Sequence, residues 1–165
     1  TLYNYFPWKE ALFQTVVRTY STHFLTDAAQ ELVAGDQAAL TLEQKLMRFG
    51  ERMLGVLARD TQALALYRVV VGEAGHSDIG ALFQEAGTEE SMLVLATLMR
   101  QHIDSGELRE GDAMLRAKQF SALLRAEVDS LLLQREIPHY SQQSIRAMVA
   151  SAVDLFLGGA RRAGK

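Results

Sequence analysis

The residue pairs in this chain that come closest to metal chemistry are two Glu-x-x-His sequences, Glu73 with His76 and Glu136 with His139. On a helix this spacing puts a carboxylate and an imidazole on one face. Paired motifs of this kind, joined by a Glu from each of two other helices, hold metal ions in di-iron bundles. Both pairs are compromised here. Gly75 weakens the turn that would carry His76, and Pro138 breaks the turn between Glu136 and His139. They read as loop or helix-end residues, and no metal site is expected. His23 is isolated, the serines fall into no Ser, His and Asp arrangement, and there is no glycine-rich phosphate loop. The sequence therefore carries no catalytic signal, and neither an enzyme activity nor a cofactor is expected.

Tyr3, Asn4, Tyr5 and Lys9 carry a different chemistry. Phenol and amide donors, with an ammonium group near a helix start, are the groups that hold phosphate oxygens. These residues belong to Thr1-Leu2-Tyr3-Asn4-Tyr5-Phe6-Pro7-Trp8-Lys9-Glu10-Ala11-Leu12-Phe13, an aromatic helix end that runs into Pro7 before a new helix opens. On spacing alone, aromatics ahead of a proline serve equally well to anchor a helix end against a core.

The elements that must position these residues are helices. Apolar side chains recur at three- and four-residue steps almost throughout, and no period-two alternation is long enough for a strand. One long helix is expected over residues 8–34, with Leu12, Val16, Val17, Tyr20, Phe24 and Ala28 on one face, ended by Gly35 and Asp36. Thr41 and Gln44 form a capping box for a second, with Leu42, Leu46, Phe49, Met53, Val56 and Leu57 as its stripe. A third carries Leu64, Tyr67, Val70, Val71 and Ala74. A short piece over 81–86 should be stopped by Gly87, after which Thr88 starts a helix with Glu89 and Glu90 in its first turn. Met92, Leu95, Ala96, Met99, His102 and Ile103 form its inner face. Asp112 should cap a long helix through Leu115, Phe120, Leu124, Val128, Leu131 and Leu132. Pro138 breaks the chain, and Ser141 caps a last helix whose stripe is Ile145, Met148, Val149, Ala152, Val153, Phe156 and Leu157. The expected fold class is all-α.

Composition agrees. With 165 residues, 48% of them hydrophobic and only 2 prolines, the chain can form one ordered helical body. It has no cysteine, which excludes disulfides and thiol redox sensing. No apolar run approaches the ~20 residues of a membrane span, no secretory signal pattern opens the chain, and a cytoplasmic location is expected. The formal net charge of −3 is unlike that of a self-sufficient DNA-binding domain, whose affinity rests on an excess of Lys and Arg.

The opening residues resemble the end of the helix-turn-helix of the TetR/AcrR family of bacterial transcriptional repressors. In that family a recognition helix ends in Leu-Tyr-x-x-Phe and the next helix opens with Lys-Glu-x-Leu; here these are Leu2, Tyr3, Phe6, Lys9, Glu10 and Leu12. The run from Leu66 to Ala74, then Leu82-Phe83, then Ile103-Asp104-Ser105-Gly106-Glu107-Leu108-Arg109 also resembles the C-terminal domain of efflux-controlling members. The resemblance implies that residues 1–14 end a DNA-binding head whose earlier helices precede Thr1, and that residues 15–165 form an effector-binding and dimerising domain. It implies DNA-backbone roles for Tyr3, Asn4, Tyr5 and Lys9, an operator-DNA partner and a small lipophilic effector.

A pocket for such an effector would be apolar with a few polar groups. Candidates are Met53, Leu57, Tyr67, Val71, Met92, Met99, Phe120 and Leu124, with His102 and Glu127 as polar handles. Each apolar member serves equally well as ordinary core. Leu131, Leu132, Ile145, Met148, Val149, Ala152, Val153 and Phe156 present more apolar face than one small bundle needs. They are the candidate homodimer surface, the alternative being that this face closes the protomer's own core. A helical interaction module without DNA binding is the rival reading of the whole chain, and a metal-dependent bundle enzyme the more remote one.

Overall fold

The computed structural model describes residues 39–164 apart from Asp60 and Glu127, together with Ala11, residues 14–16, Ala29 and Leu32, with backbone alone at residues 57, 59, 86 and 87. Tyr3, Asn4, Tyr5 and Lys9 lie outside the described residues, as does most of the helix expected over 8–34. The members of that helix that are described are helical.

The architecture is all-α, with no strand among the described residues. Its first complete helix, α1 (Leu42–Arg59), begins where the capping box places it. Thr41 N–H donates to Gln44 Oε1 at 3.0 Å, and Gln44 N–H donates to Thr41 Oγ1 at 3.2 Å. Its stripe of Leu42, Leu46, Phe49 and Met53 is buried as the spacing requires. Helix α2 (Thr61–Glu73) turns in Leu64 and Val70. The short α3 (Ile79–Phe83) does not stop at Gly87. The chain keeps winding through one wider π-helical turn (Gln84–Thr88) straight into α4 (Glu89–Asp104). Thr88 is accordingly helical, with no side-chain cap on α4. Its hydroxyl bonds back to the Phe83 carbonyl at 3.4 Å, so a glycine expected as a stop is absorbed by widening the turn.

Asp112 starts α5 (Ala113–Arg125) as expected, accepting the Leu115 N–H on Oδ1 at 2.8 Å. The helix ends well before Leu132. Beyond it, Asp129–Leu133 is a 3₁₀ turn. The Leu131 and Gln134 carbonyls accept from the Arg68 guanidinium of α2, which takes the place of a further helical turn. Ser141 caps α6 (Gln142–Ala160), accepting the Ser144 N–H at 3.0 Å. After α6 the chain is not a free basic tail. Arg161 forms an isolated antiparallel bridge with Leu108 and an ion pair with Glu43 at 3.6 Å.

Helices α4 and α5 pack as a pair, α1 lies along α6, and α5 touches both. The centre is aromatic. Phe120 stands 6.3 Å from Phe49 of α1 and 5.3 Å from Phe156 of α6, ring centre to ring centre. Beside it, Gly50 lets the three helices close. A Cβ there would lie 2.6 Å from Val149 Cγ1 and 2.8 Å from Leu124 Cδ2. Val149 is β-branched and fully buried, so it has no rotamer in which to retreat. Gly50→Ala gains up to ~1 kcal/mol of helix propensity but overpacks the core by about 1–3 kcal/mol. We expect a net loss, read as a lower urea midpoint with an unchanged slope. A raised midpoint would mean that α1 and α6 can separate freely.

Candidate functional site

A set of polar side chains links α2 to α5 and α5 to α4. Tyr67 is half-buried on α2, its ring 6.0 Å from that of Phe83. Arg125, in the last turn of α5, donates from Nη1 to Tyr67 Oη at 3.3 Å and from Nε to the Ser121 carbonyl at 3.3 Å. The buried Ser121 hydroxyl has only a soft acceptor, the Met92 sulfur of α4, at 3.6 Å. Ser91, the residue before Met92, is fully buried, and its Oγ has no hydrogen-bond partner. Next to Tyr67, Arg68 donates through Nη2 to the Leu131 and Gln134 carbonyls, while its Nε is buried without a partner.

This is an unusual inventory for a folded interior. A buried hydroxyl left unpaired costs about 1–3 kcal/mol, and nearly all such groups in native proteins are satisfied. Desolvated cations are ordinarily paired with acids. Among the described residues no carboxylate forms an ion pair with Arg68 or Arg125. Part of the polar capacity at this junction therefore has no partner among the described residues.

Two of the residues expected at a pocket, Tyr67 and Met92, belong to this cluster. Met53, Met99, Phe120 and Leu124 are packed inside the core instead. Val71 is 51% exposed: Val70 takes the inward position, and the next residue is rotated about 100° away. His102 is far from the cluster, about 15 Å further along α4 at 1.5 Å per residue. There its Nδ1 lies 2.6 Å from Glu107 Oε2, bracing the turn to α5. The Leu57 side chain and Glu127 lie outside the described residues. Ser91, Ser121, Arg125, Phe83 and Arg68 are the additions. The periodicity did contain a signal for three of them. Ser121 and Arg125 continue the four-residue steps from buried Ala117, and Ser91 lies four residues before buried Leu95.

The two Glu-x-x-His pairs are not assembled. His76 is exposed in the turn after α2, and Glu136 and His139 are exposed in the segment before α6. No group of three His, Cys, Asp or Glu that could hold a metal occurs among the described residues.

A family model described as the C-terminal domain of AefR-like transcriptional repressors matches residues 44–159. The chain belongs to the TetR family of transcriptional regulators. Members of this family are transcription factors, and the chain is not an enzyme. Solved structures share the fold. A TetR-family regulator from Mesorhizobium loti MAFF303099 aligns with a TM-score of 0.80 at 21% identity, over 98% of this chain and 80% of that one. The flavonoid-responsive regulator FrrA aligns at 0.69 with 23% identity, over 99% and 81%. A TetR-family regulator from Pseudomonas syringae pv. tomato str. DC3000 aligns at 0.64 with 24% identity, over 99% and 79%. No curated protein matches the chain in sequence.

In this TetR-family chain the residues expected at a dimer surface face inward. Leu131, Ile145, Val149, Ala152, Val153 and Phe156 are buried in the protomer's own core, and Leu132 and Met148 are half-buried against it. The stripe that looked surplus is consumed by α1 and α5. The outward side of α6 carries Ala147, Ser151, Asp154, Leu155 and Gly158, with Leu155 65% exposed. No helix among the described residues is long and apolar enough to cross a membrane.

Proposed function

We propose that the chain is the regulatory part of a ligand-responsive transcriptional repressor, which binds operator DNA as a homodimer in the cytoplasm and is released by a small lipophilic effector. In this reading residues 1–14 end the DNA-reading head and residues 15–165 bind effector and partner. The observation that carries it is the α2, α4 and α5 junction. There, half-buried Tyr67 bonds to half-buried Arg125, Met92 accepts from Ser121, and the buried Ser91 that precedes Met92 in the chain has no partner. That is the composition of a site for a mostly apolar molecule oriented by a few polar contacts. The flavonoid response of FrrA, a structural relative, supports a ligand-controlled reading.

The dimer would form across the outward faces of the last helices, through Ala147, Ser151 and Leu155 of α6 and Leu115 of α5, since the inward stripe is occupied. A two-fold dimer presents two recognition helices to half-sites about 34–36 Å apart. An effector releases the DNA only to the extent that it binds the DNA-incompetent arrangement more tightly.

The test is selection from a random duplex pool by the protein with a complete head in front of residue 15. A two-fold symmetric site should be enriched. Lys9→Ala should then weaken binding to specific and non-specific duplexes alike and reduce the salt slope by about one. Enrichment of no sequence would favour an interaction module that does not read DNA.

A further inference from the structure

Within the regulator reading above, and resting on it, we infer that the effector is an amphipathic organic anion whose acidic group is received by Arg125. The guanidinium is part-buried at the end of α5 and its acceptors are both neutral, the Tyr67 phenol and its own helix's Ser121 carbonyl. Its Nη2 has no acceptor among the described residues, nor does any described carboxylate pair with it. A part-buried arginine with no acid among the described residues is a departure from the usual pairing of buried cations.

The second observation is independent of charge. The Ser91 hydroxyl is fully buried with no partner, at the end of α4 that meets the end of α5 through Met92 and Ser121. Among the described residues, the same end of the bundle thus holds a guanidinium whose Nη2 has no acceptor and a hydroxyl with no partner. A carboxylate, sulfonate or ionised phenol satisfies both kinds of donor; a hydrocarbon satisfies neither, and a cation would meet Arg125 with like charge. The Tyr67 and Phe83 rings and the Met92 thioether supply apolar surface for the remainder of the molecule. An anion of this kind makes a hydrogen bond in which donor and acceptor are both charged, stronger than the guanidinium's bonds to its neutral acceptors.

The probes are a matched pair, 8-anilino-1-naphthalenesulfonate and N-phenyl-1-naphthylamine, which share one ring system and differ in the sulfonate. Each is titrated by fluorescence into the purified chain and its variants. The wild type should bind the anion tightly, at one molecule per protomer. Arg125→Met should weaken the anion by about 10–100-fold, the range that a hydrogen bond to a charged group represents, and leave the neutral probe unchanged. Arg125→Lys should recover most of the loss. Ser91→Ala and Tyr67→Phe should weaken the anion by smaller factors, and they keep the comparison available if Arg125→Met loses its helical circular dichroism. If both probes bind at one per protomer and none of these variants alters the anion's affinity, the anion assignment is wrong although the apolar effector site stands. If neither probe binds at a defined stoichiometry, the effector reading itself falls, and this inference with it.

Discussion

Phe120→Ala will destabilise the folded chain by about 3–5 kcal/mol, the range for truncating a fully buried aromatic residue. The ring is completely buried and touches an aromatic ring on each side, Phe49 and Phe156. Among the described residues it is the side chain through which α1, α5 and α6 meet in aromatic contact. Truncation removes the apolar area of the ring and both ring–ring contacts, and leaves a void bounded by three helices. Those helices are already held at closest approach by Gly50, so they cannot move in to fill it. For a chain of this length the loss corresponds to a fall in melting temperature of about 6–20 °C. Chemical denaturation followed by circular dichroism measures it directly. A loss below ~1 kcal/mol would show that the void collapses, and that α5 is held by its other contacts instead. Phe120→Leu, which keeps most of the volume, should cost much less.

Leu155→Arg should separate the proposed dimer. Leu155 lies on the outward side of α6 and is largely exposed in the protomer, so the substitution should leave the melting temperature of an isolated protomer nearly unchanged. In a two-fold interface every substitution occurs twice. Losing the burial of two leucines, at about 2 kcal/mol each, weakens association by roughly a thousandfold before any cost of burying two arginines. Sedimentation equilibrium of wild type and variant reads the result. Ile145→Ala is the companion measurement. It should unfold the protomer more readily by about 2–4 kcal/mol, because Ile145 belongs to the core and not to the outward face. If Leu155→Arg remains as dimeric as the wild type, the partner sits elsewhere. If the wild type is itself a monomer, the dimer proposal is lost.

The contrast between Ile145 and Leu155 marks where reading the chain in one dimension stops. Periodicity identified the apolar face of α6 correctly, residue by residue, but a stripe carries no record of what covers it. In the structure the protomer itself covers the stripe, in part through α1, whose Gly50 approaches Val149 from nearly one hundred positions earlier. Val70 and Val71 give the same lesson at smaller scale. A run of three valines has no preferred inward member until the neighbouring helices choose one, and here they choose Val70.

Features with a range of a few residues were legible. The Thr41 and Gln44 capping box, the Asp112 cap and the Ser141 cap are all formed, because a side chain that bonds a backbone N–H three positions away needs nothing from the rest of the fold. The all-α class followed from spacing, and the family from matched motifs. Where helices end or widen under tertiary demand, local rules failed. Gly87 does not stop α3 because the chain passes through a π-helical turn into α4, and α5 stops early where Arg68 of α2 takes the carbonyls of the segment beyond. The candidate effector site lies wholly in this second category. Tyr67 and Arg125 are 58 residues apart, and the meaning of each depends on the other. Local sequence determines which backbone groups can be satisfied within a turn. Only the packed helices decide which distant polar groups are brought out of water together and left without a partner.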